Sequence, residues 1–166
     1  MSYSVTISPF APLYDGWEAY QESLIGALAA LTPEQLDYRT APQLRSVGEN
    51  CRHMIGARGR WCIYVLGIRD APLPDLARWD AKGTPSYTSA ELAEGLRVSW
   101  RLLRDAMKSW SAEDLAVTMP NVDREPGEPE AFTRHWVIWH LIEHDLHHGG
   151  EISQILGAHG LTGINI

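Results

Sequence analysis

The sequence predicts an all-α fold, an antiparallel four-helix bundle with long crossover loops. Apolar residues recur at helical spacing in four long segments, and two loops rich in proline, glycine and charge lie between them. No stretch alternates convincingly between apolar and polar residues, so we expect no β-sheet. With 166 residues and 45% hydrophobic content, the chain has the size and composition of a single domain, covering residues 1–166.

The first two helices are predicted from an apolar stripe and from a start signal. The first is expected from about Leu13 to Leu31, where apolar side chains recur along one helical face. The second is expected to begin at the stretch SVGE, because Ser46 and Glu49 have the spacing of a capping box. It should continue to about Leu66, just before a glycine.

The third and fourth helices carry similar signals. Thr88 and Glu91 form another candidate capping box, which should open a helix that continues to about Trp110. The fourth helix is expected from about Thr133 to Ala158, and Gly160 follows it as a stop signal.

Two shorter stretches resemble each other and follow the first and third helices. In LTPEQLDYRTAP and WSAEDLAVTMP, a Ser or Thr stands two positions before an acidic residue, and Leu and later Pro follow. We expect both to form short helical turns that reverse the chain, which suggests two related helix hairpins.

The charge balance argues against nucleic acid as a partner. Acidic residues outnumber basic ones by 21 to 14, which gives a formal net charge of −7, and no stripe of Lys and Arg opposes that field. One or two arginines can still hold a small anionic ligand. The chain begins without signal-peptide features, and no apolar run approaches the roughly 18 residues that span a bilayer. We therefore expect a cytoplasmic protein that does not interact with membranes.

Histidines are concentrated in the stretch WHLIEHDLHHGGEI, from Trp139 to Ile152, which holds four of the seven in the chain. Each helical residue advances by about 100°, so these four imidazoles share one helical face. They are His140, His144, His147 and His148. Positions four apart are neighbours on that face, so His144 and His148 can meet one ion. A third ligand is expected from another part of the chain.

His53, in the apolar stretch CRHMIGARGRWCIYVL of the second helix, is the candidate third ligand. A single histidine in an apolar helix is more often a hydrogen-bonded core residue than a ligand. Here a ready pair, His144 and His148, lies on another helix of the same small bundle. Bundles build metal sites from facing side chains that project inward, which favours a ligand role for His53.

Four segments carry a family resemblance: LTPEQLDYR, SVGENCRHMIGAR, the Trp79–Asp80 pair and WVIWHLIEHDLHHGGEISQILGAHGL. In this order they resemble the DinB-like superfamily, small bacterial metal-binding bundles of DinB/YfiT type that are related to mycothiol- and bacillithiol-dependent enzymes. The most specific part is the HxxHH element. The resemblance implies that its first and last histidines, His144 and His148, bind a divalent ion together with His53, and that the protein is a homodimer.

The predicted ligand set leaves room for chemistry, because three imidazoles leave a tetrahedral ion with one open position. Zinc and nickel both suit imidazole. Such an ion can activate water or hold a low-molecular-weight thiol, the cosubstrate that the resemblance implies. We expect a metal-dependent enzyme, a thiol-dependent transferase or a hydrolase acting on a small molecule. A non-enzymatic, stress-related metal-binding protein is the alternative, and a sensing or dimerisation module with a vestigial site is a third hypothesis.

Charged residues near the histidines are candidates for further roles. Glu151 shares their helical face and is the better-placed catalytic proton acceptor, although it can equally pair with His147 or hold a ligand histidine. Asp145 points away from that face, so we expect it to be exposed or to bridge helices. Arg60 lies about two turns after His53 and can steer a carboxylate-bearing substrate, or pair with a carboxylate at the bundle surface.

Two further features of the histidine helix concern packing. Gly149 and Gly150 each cost about 1 kcal/mol relative to alanine in a helix, which suggests that a neighbouring helix or a ligand passes too close for a β-carbon. Trp136 and Trp139 precede the histidines, and we expect them to fill the core and to shield the site from bulk water.

Overall fold

The computed structural model describes residues 11–121 and 126–165, and this part of the chain is mostly helical, as predicted. Its helices are α1 (Ala11–Leu28), α2 (Pro33–Leu36), α3 (Val47–Arg60), α4 (Leu73–Leu76), α5 (Ser89–Lys108), α6 (Ala112–Ala116) and α7 (Arg134–Ala158). Two short strands, β1 (Thr118–Pro120) and β2 (Ala131–Thr133), precede α7. Within the described ranges, no helix is both long and apolar enough to cross a membrane.

The predicted starts of the second, third and fourth long helices are confirmed, and a nearby side chain caps each of them. Ser46 and Glu49 bond each other's backbone N–H groups at the start of α3. Thr88 and Glu91 do the same at the start of α5. The two short stretches that resemble each other are the helices α2 and α6, which open with the same reciprocal hydrogen bonds. Thr133 caps α7 by accepting a hydrogen bond from the backbone three residues later.

The first two long helices end earlier than the apolar pattern predicts. α1 stops at Leu28 rather than near Leu31, and Thr32 is extended because it precedes Pro33. α3 stops at Arg60, and the chain continues to residue 65 as a π-helical turn in which backbone hydrogen bonds span five residues. Apolar periodicity does not distinguish this wider turn from an α-helix.

The expectation that the chain has no β-structure is wrong. β1 and β2 form an antiparallel ribbon in which Met119 is opposite Phe132. Each strand has three residues, too few for an alternating pattern to stand out in the sequence. The ribbon leads directly into α7, because β2 ends at the residue that caps this helix. Phe132 is buried against Trp61, with ring centroids 5.5 Å apart.

The long helices pack so that α3 lies against both α5 and α7, while α1 lies against α5. Their apolar faces form two clusters. The first includes Met54, Leu96 and Ile152, and the second includes Leu103 and Leu141. Each of these side chains is fully buried, which contributes about 1.5–3 kcal/mol relative to exposure. The packing of α3 against α7 brings the histidines of the two helices to a common interface.

A buried polar cluster ties three helices together, and we call it the Arg58–Asp145 cluster. The guanidinium of Arg58 donates to both carboxylate oxygens of Asp145, at 2.7 and 3.2 Å, and neither side chain has exposed surface. From α1, Trp17 Nε1 and Gln21 Nε2 donate to the same carboxylate, at 2.7 and 3.0 Å. Of the two expectations for Asp145, exposure is therefore wrong and helix bridging is confirmed. Because a buried charge needs its partners, the cluster fixes α1, α3 and α7 relative to one another.

Gly149 allows a side chain of α1 to approach α7 closely. A β-carbon at Gly149 would lie 1.9 Å from the hydroxyl oxygen of Tyr20, whereas one at Gly150 would meet nothing within 4 Å. Burial and the charge of Asp145 raise the pKa of Tyr20 to about 12, so its hydroxyl stays protonated. It donates to the backbone carbonyl of Asp145 at 3.4 Å. The close approach expected from the sequence is therefore confirmed for the first glycine of the pair.

We expect Gly149→Ala to lower the free energy of unfolding by up to about 2 kcal/mol. The overpacking cost of about 1–3 kcal/mol exceeds the roughly 1 kcal/mol gained in helix propensity. Gly150→Ala is the matched control and should instead stabilise the fold by up to about 1 kcal/mol. Adding Tyr20→Phe to Gly149→Ala should recover part of the loss. Urea denaturation checks these values, and equal stability of the two alanine variants would contradict the steric explanation.

Candidate metal centre

Three imidazoles meet where α3 packs against α7. His53 comes from α3, and His144 and His148 come from successive turns of α7. One nitrogen of each ring lies within 4.8 Å of the others, and the Nε2 atoms of His53 and His144 are 3.2 Å apart. The structure thus brings together the three residues nominated from the sequence, although His53 and His144 are 91 positions apart in the chain.

Asp80, in the loop after α4, orients His53. Its Oδ2 lies 2.9 Å from Nδ1 of His53, and it also accepts hydrogen bonds from both terminal nitrogens of Arg60. Burial would raise the pKa of Asp80, but the hydrogen bonds from Arg60 and His53 hold that pKa below its usual range. The ionised carboxylate therefore accepts the Nδ1–H of His53, which leaves the Nε2 lone pair facing His144.

Asp80 can approach His53 because Gly56 leaves room for it. A β-carbon at Gly56 would lie 2.4 Å from Oδ1 of Asp80. Sequence reasoning used the Trp79–Asp80 pair only as part of the family resemblance and gave Asp80 no role of its own. Two signals pointed to it: a carboxylate in the loop after the His53 helix, and a glycine one turn beyond His53.

Glu151 does for His148 what Asp80 does for His53. Its Oε2 is 2.7 Å from Nδ1 of His148, and its Oε1 is 3.5 Å from Nε2 of His147. Two of the three roles left open for Glu151, a pair with His147 and a partner for a ligand histidine, thus correspond to observed contacts. Its role as a catalytic proton acceptor stays a prediction.

Burial keeps two of the three rings uncharged. It lowers the pKa of His144 to about 3, with further contributions from the neighbouring histidines and Arg58. Burial also lowers the pKa of His148, although the hydrogen bond with Glu151 opposes this shift. Only an uncharged imidazole has a lone pair for a cation, so both rings are ready to bind one at neutral pH. Nδ1 of His144 has no hydrogen-bond partner among the described residues, and its Nε2 contacts His53.

We expect the metal-free protein to lose stability as the pH falls from 6.5 toward about 3. In that window the unfolded chain binds a proton at His144, whereas the folded chain keeps this ring neutral. The contribution of the neutral ring to the free energy of unfolding is therefore full above pH 6.5 and is lost on acidification. One such group changes the free energy of unfolding by up to about 1.4 kcal/mol per pH unit. Urea denaturation between about pH 7 and about pH 5 measures the slope. His144→Asn should flatten it and His159→Asn should not, so identical slopes would count against the buried neutral ring.

Two other histidines of α7, His140 and His147, lie beside the three, and the ring centroids of His147 and His148 are 4.9 Å apart. Nδ1 of His140 is 3.0 Å from Glu143, and its ring stacks on Trp136. The side chain of His147 is 68% exposed. Trp139 is 58% exposed and Trp136 is exposed as well, so the expectation that the two tryptophans fill the core is wrong. Aliphatic side chains at other phases of the helix form its buried face instead.

Arg60 is held against the loop rather than pointing freely into a cleft. Besides its two hydrogen bonds to Asp80, its Nη1 donates to the carbonyl of Ala77 at 2.9 Å. The pairing with a carboxylate, one of the two expectations for Arg60, is therefore observed, and substrate steering stays a prediction. Through Asp80, Arg60 contributes to the orientation of His53.

The chemistry of this cluster fits a divalent cation. Two of its rings have their Nδ1–H held by a carboxylate, an arrangement typical of histidine ligands to metals. Three nitrogen donors without a fourth protein ligand are typical of an open site. A second group that could hold an ion, His147, His148 and Glu151, shares one histidine with the first and lies nearer the surface. Fold and site together define a mostly helical protein with a candidate metal centre between two helices.

Comparison with known proteins gives the family. A family model described as DinB superfamily matches residues 17–152, and the chain belongs to that superfamily, which confirms the resemblance found in the sequence. The fold is similar to that of a DinB-like protein from Bacillus cereus ATCC 10987, with a TM-score of 0.70, 21% identity, and coverage of 92% of this chain and 93% of that one. It is also similar to a conserved protein from Enterococcus faecalis, with a TM-score of 0.66, 15% identity, and coverage of 92% and 99%. No match is found among curated proteins.

Proposed function

We propose that this protein is a metal-dependent enzyme, a thiol-dependent transferase or a hydrolase, that acts on a small molecule at a divalent ion held by His53, His144 and His148. The observation that carries the proposal is the meeting of three imidazole nitrogens between α3 and α7. Zinc and nickel are the proposed metals, because both suit imidazole ligands. When bound, such an ion lowers the pKa of a water or thiol at its open position.

The chain's own residues prepare the site for that ion. Asp80 and Glu151 each hold the Nδ1–H of one histidine, which fixes the ring tautomer and leaves Nε2 as the donor atom. The side chain of Glu151 is 41% exposed, so we propose that it also accepts a proton from the reacting water or thiol. For Arg60 we propose that it holds Asp80 and steers an anionic part of the substrate.

A non-enzymatic, stress-related metal-binding protein is the second candidate, and one observation favours it. The carboxylates around the histidines already have partners. Asp80 is held by an arginine, and Glu151 by a histidine. Asp145 is buried in the Arg58–Asp145 cluster. A carboxylate that already accepts hydrogen bonds is a weaker base, so this second candidate predicts a stoichiometric ion without turnover.

Turnover assays at defined metal content decide between the two candidates. The protein is tested as purified, after chelation, and after reloading with zinc or nickel, against a panel of electrophiles and esters with mycothiol, with bacillithiol and without thiol. We expect turnover only in the metal-loaded protein and none from His148→Ala, whereas His159→Ala removes an imidazole outside the cluster and should retain activity. A stoichiometric ion without turnover supports the second candidate, and equal turnover without metal overturns the proposal.

Asp80→Asn is expected to weaken zinc binding about 10- to 100-fold, because the neutral amide no longer fixes the Nδ1–H tautomer of His53. Asp75→Asn is the matched control: Asp75 is a nearby carboxylate in α4 that accepts a hydrogen bond from Trp79 at 3.1 Å. Competition with a chromophoric chelator measures both affinities. The same affinity in the two variants would remove Asp80 from the support of the site.

Further expectations about the whole protein also stay proposals. We propose that the long helices form an antiparallel four-helix bundle of DinB/YfiT type, that residues 1–166 are one domain, and that the protein works as a homodimer in the cytoplasm. Its formal net charge of −7 supports partners other than nucleic acid. Light scattering of the purified chain measures the oligomeric state.

A further inference from the structure

A cavity of about 430 Å³ opens beside His53 and is lined by cationic side chains. It lies between residues 39–45, the first half of α3 and the loop of residues 80–84, and we call it the basic cavity. Its cations are Arg39, Arg45, Arg52 and Lys82. Four cations around one concave surface are unexpected in a chain with a formal net charge of −7, because such a chain repels anions over most of its surface.

Two carboxylates, Glu49 and Asp80, also line the cavity, but they leave much of its positive charge available to a ligand. Asp80 is already paired with an arginine that does not line the cavity. Glu49 caps α3 by accepting the backbone N–H of Ser46 at 2.8 Å, and it shares its charge with Arg39 at 3.4 Å. Arg45 and Lys82 form neither a hydrogen bond nor an ion pair with any described residue. Both are exposed, so a ligand can reach them.

Arg52, like Arg39, is held in place by neighbouring residues. Its Nη1 donates to Oγ1 of Thr84 at 3.1 Å and to the carbonyl of Pro85 at 3.5 Å, which holds the guanidinium against the 80–84 loop. It directly precedes His53 in α3, and both side chains line the basic cavity. A guanidinium presents its N–H groups as a planar fork that matches the oxygens of a carboxylate or phosphate.

We infer that the basic cavity binds an anionic oxygen group of the substrate, a carboxylate or a phosphate-type group, and directs the rest of the molecule toward His53. The inference rests on the proposed function, since it places the reacting end of the substrate at the three histidines. The cavity has the volume of a small-molecule site. A charged group bound away from the reacting atom supplies positioning energy, which is the use that enzymes make of remote binding.

Anion binding is measured on the chelated, metal-free protein, so that it does not depend on the ion. Inorganic phosphate and succinate are the probes, and succinamide is the uncharged counterpart of succinate. We expect calorimetric titration to give one anion per chain, no binding of succinamide, and weaker binding as salt is added. Stronger binding of phosphate indicates a phosphate-type substrate, and stronger binding of succinate indicates a carboxylate.

The double variant Arg45→Gln with Lys82→Gln tests the assignment, because neither side chain bonds a described residue and the fold should be unaffected. We expect anion affinity to fall about tenfold or more. The matched control, Arg97→Gln with Arg101→Gln on α5, removes the same charge outside the cavity and should change affinity by less than about twofold. Metal content is measured for every protein.

The outcomes separate this inference from the proposed function. Loss of anion binding in the cavity variant, with metal content unchanged, supports the inference. No anion binding in the parent protein, or an equal loss in the control variant, overturns the inference whether or not an ion binds. Anion binding that depends on the basic cavity in a protein that takes up no metal supports the cavity assignment and overturns only the proposed function.

Discussion

Asp145→Ala will lower the free energy of unfolding by about 3–5 kcal/mol, a large share of the roughly 5–15 kcal/mol that stabilises a typical domain. The Asp145 carboxylate has no exposed surface and accepts two hydrogen bonds from Arg58. Its removal leaves a buried guanidinium without its counter-charge. It also leaves the donors of Trp17 and Gln21 without their acceptor, which adds a desolvation cost. Urea denaturation followed by far-UV circular dichroism measures the loss.

The double variant Arg58→Met with Asp145→Leu tests whether the cost arises from the unpaired charge. Replacing both members of a buried ion pair by apolar residues is often neutral, so this variant should be more stable than Asp145→Ala. Glu143→Ala removes an exposed carboxylate from the same helix and should cost less than about 0.5 kcal/mol. If Asp145→Ala cost no more than Glu143→Ala, the Arg58–Asp145 cluster would not be holding the three helices together.

Helix starts can be predicted from this sequence because the residues that cause them are neighbours in the chain. Ser46 and Glu49 are three positions apart, and their reciprocal hydrogen bonds form within one turn. The Arg58–Asp145 cluster cannot be predicted in this way. Its two charges are 87 positions apart, and nothing local to either residue identifies the partner. The β1–β2 ribbon escapes prediction for a different reason, because three-residue strands carry almost no periodic signal.

The residues of the candidate site differ in the same way, since local sequence identifies some of them and only the tertiary fold identifies the others. His144 and His148 follow from helical phase alone, since residues four apart lie on one face. His53 follows only by adding chemistry, because two imidazoles on one helix make a weak site and a third donor is needed. The role of Asp80 does not follow from the sequence, where a carboxylate after the His53 helix and a glycine one turn beyond His53 are the only hints of it. Its contact with His53 depends on how the loop packs against Gly56, and that packing is set by the tertiary fold.

The two sides of α7 have different roles, because one side stabilises the fold and the other carries the candidate metal site. Asp145 and Glu151 are six positions apart, so they lie on different sides of the helix. Asp145 is buried toward α1 and α3, whereas Glu151 is partly exposed beside His148. Substitutions on the first side should therefore change the free energy of unfolding, and those on the second should change affinity for an ion. A variant of the histidine side tests this separation directly.

His144→Ala is expected to lose most of the bound metal, with affinity falling by at least about 100-fold. Loss of a ligand costs more than loss of a residue that only orients one, for which about 10- to 100-fold is typical. The parent protein should carry about one divalent ion per chain, which elemental mass spectrometry after gel filtration measures. Circular dichroism of the variant should show a folded helical protein, because the Arg58–Asp145 cluster is intact in it.

His147→Ala is the control that makes the result specific. This residue belongs to the same HxxHH element as His144, yet its side chain is largely exposed and its Nε2 lies 3.5 Å from Glu151. It should keep its metal if the site is the one formed with His53. Stoichiometric metal in His144→Ala would refute the ligand assignment. Metal loss in His147→Ala alone would instead move the site to the surface group of His147, His148 and Glu151, where α7 provides every ligand.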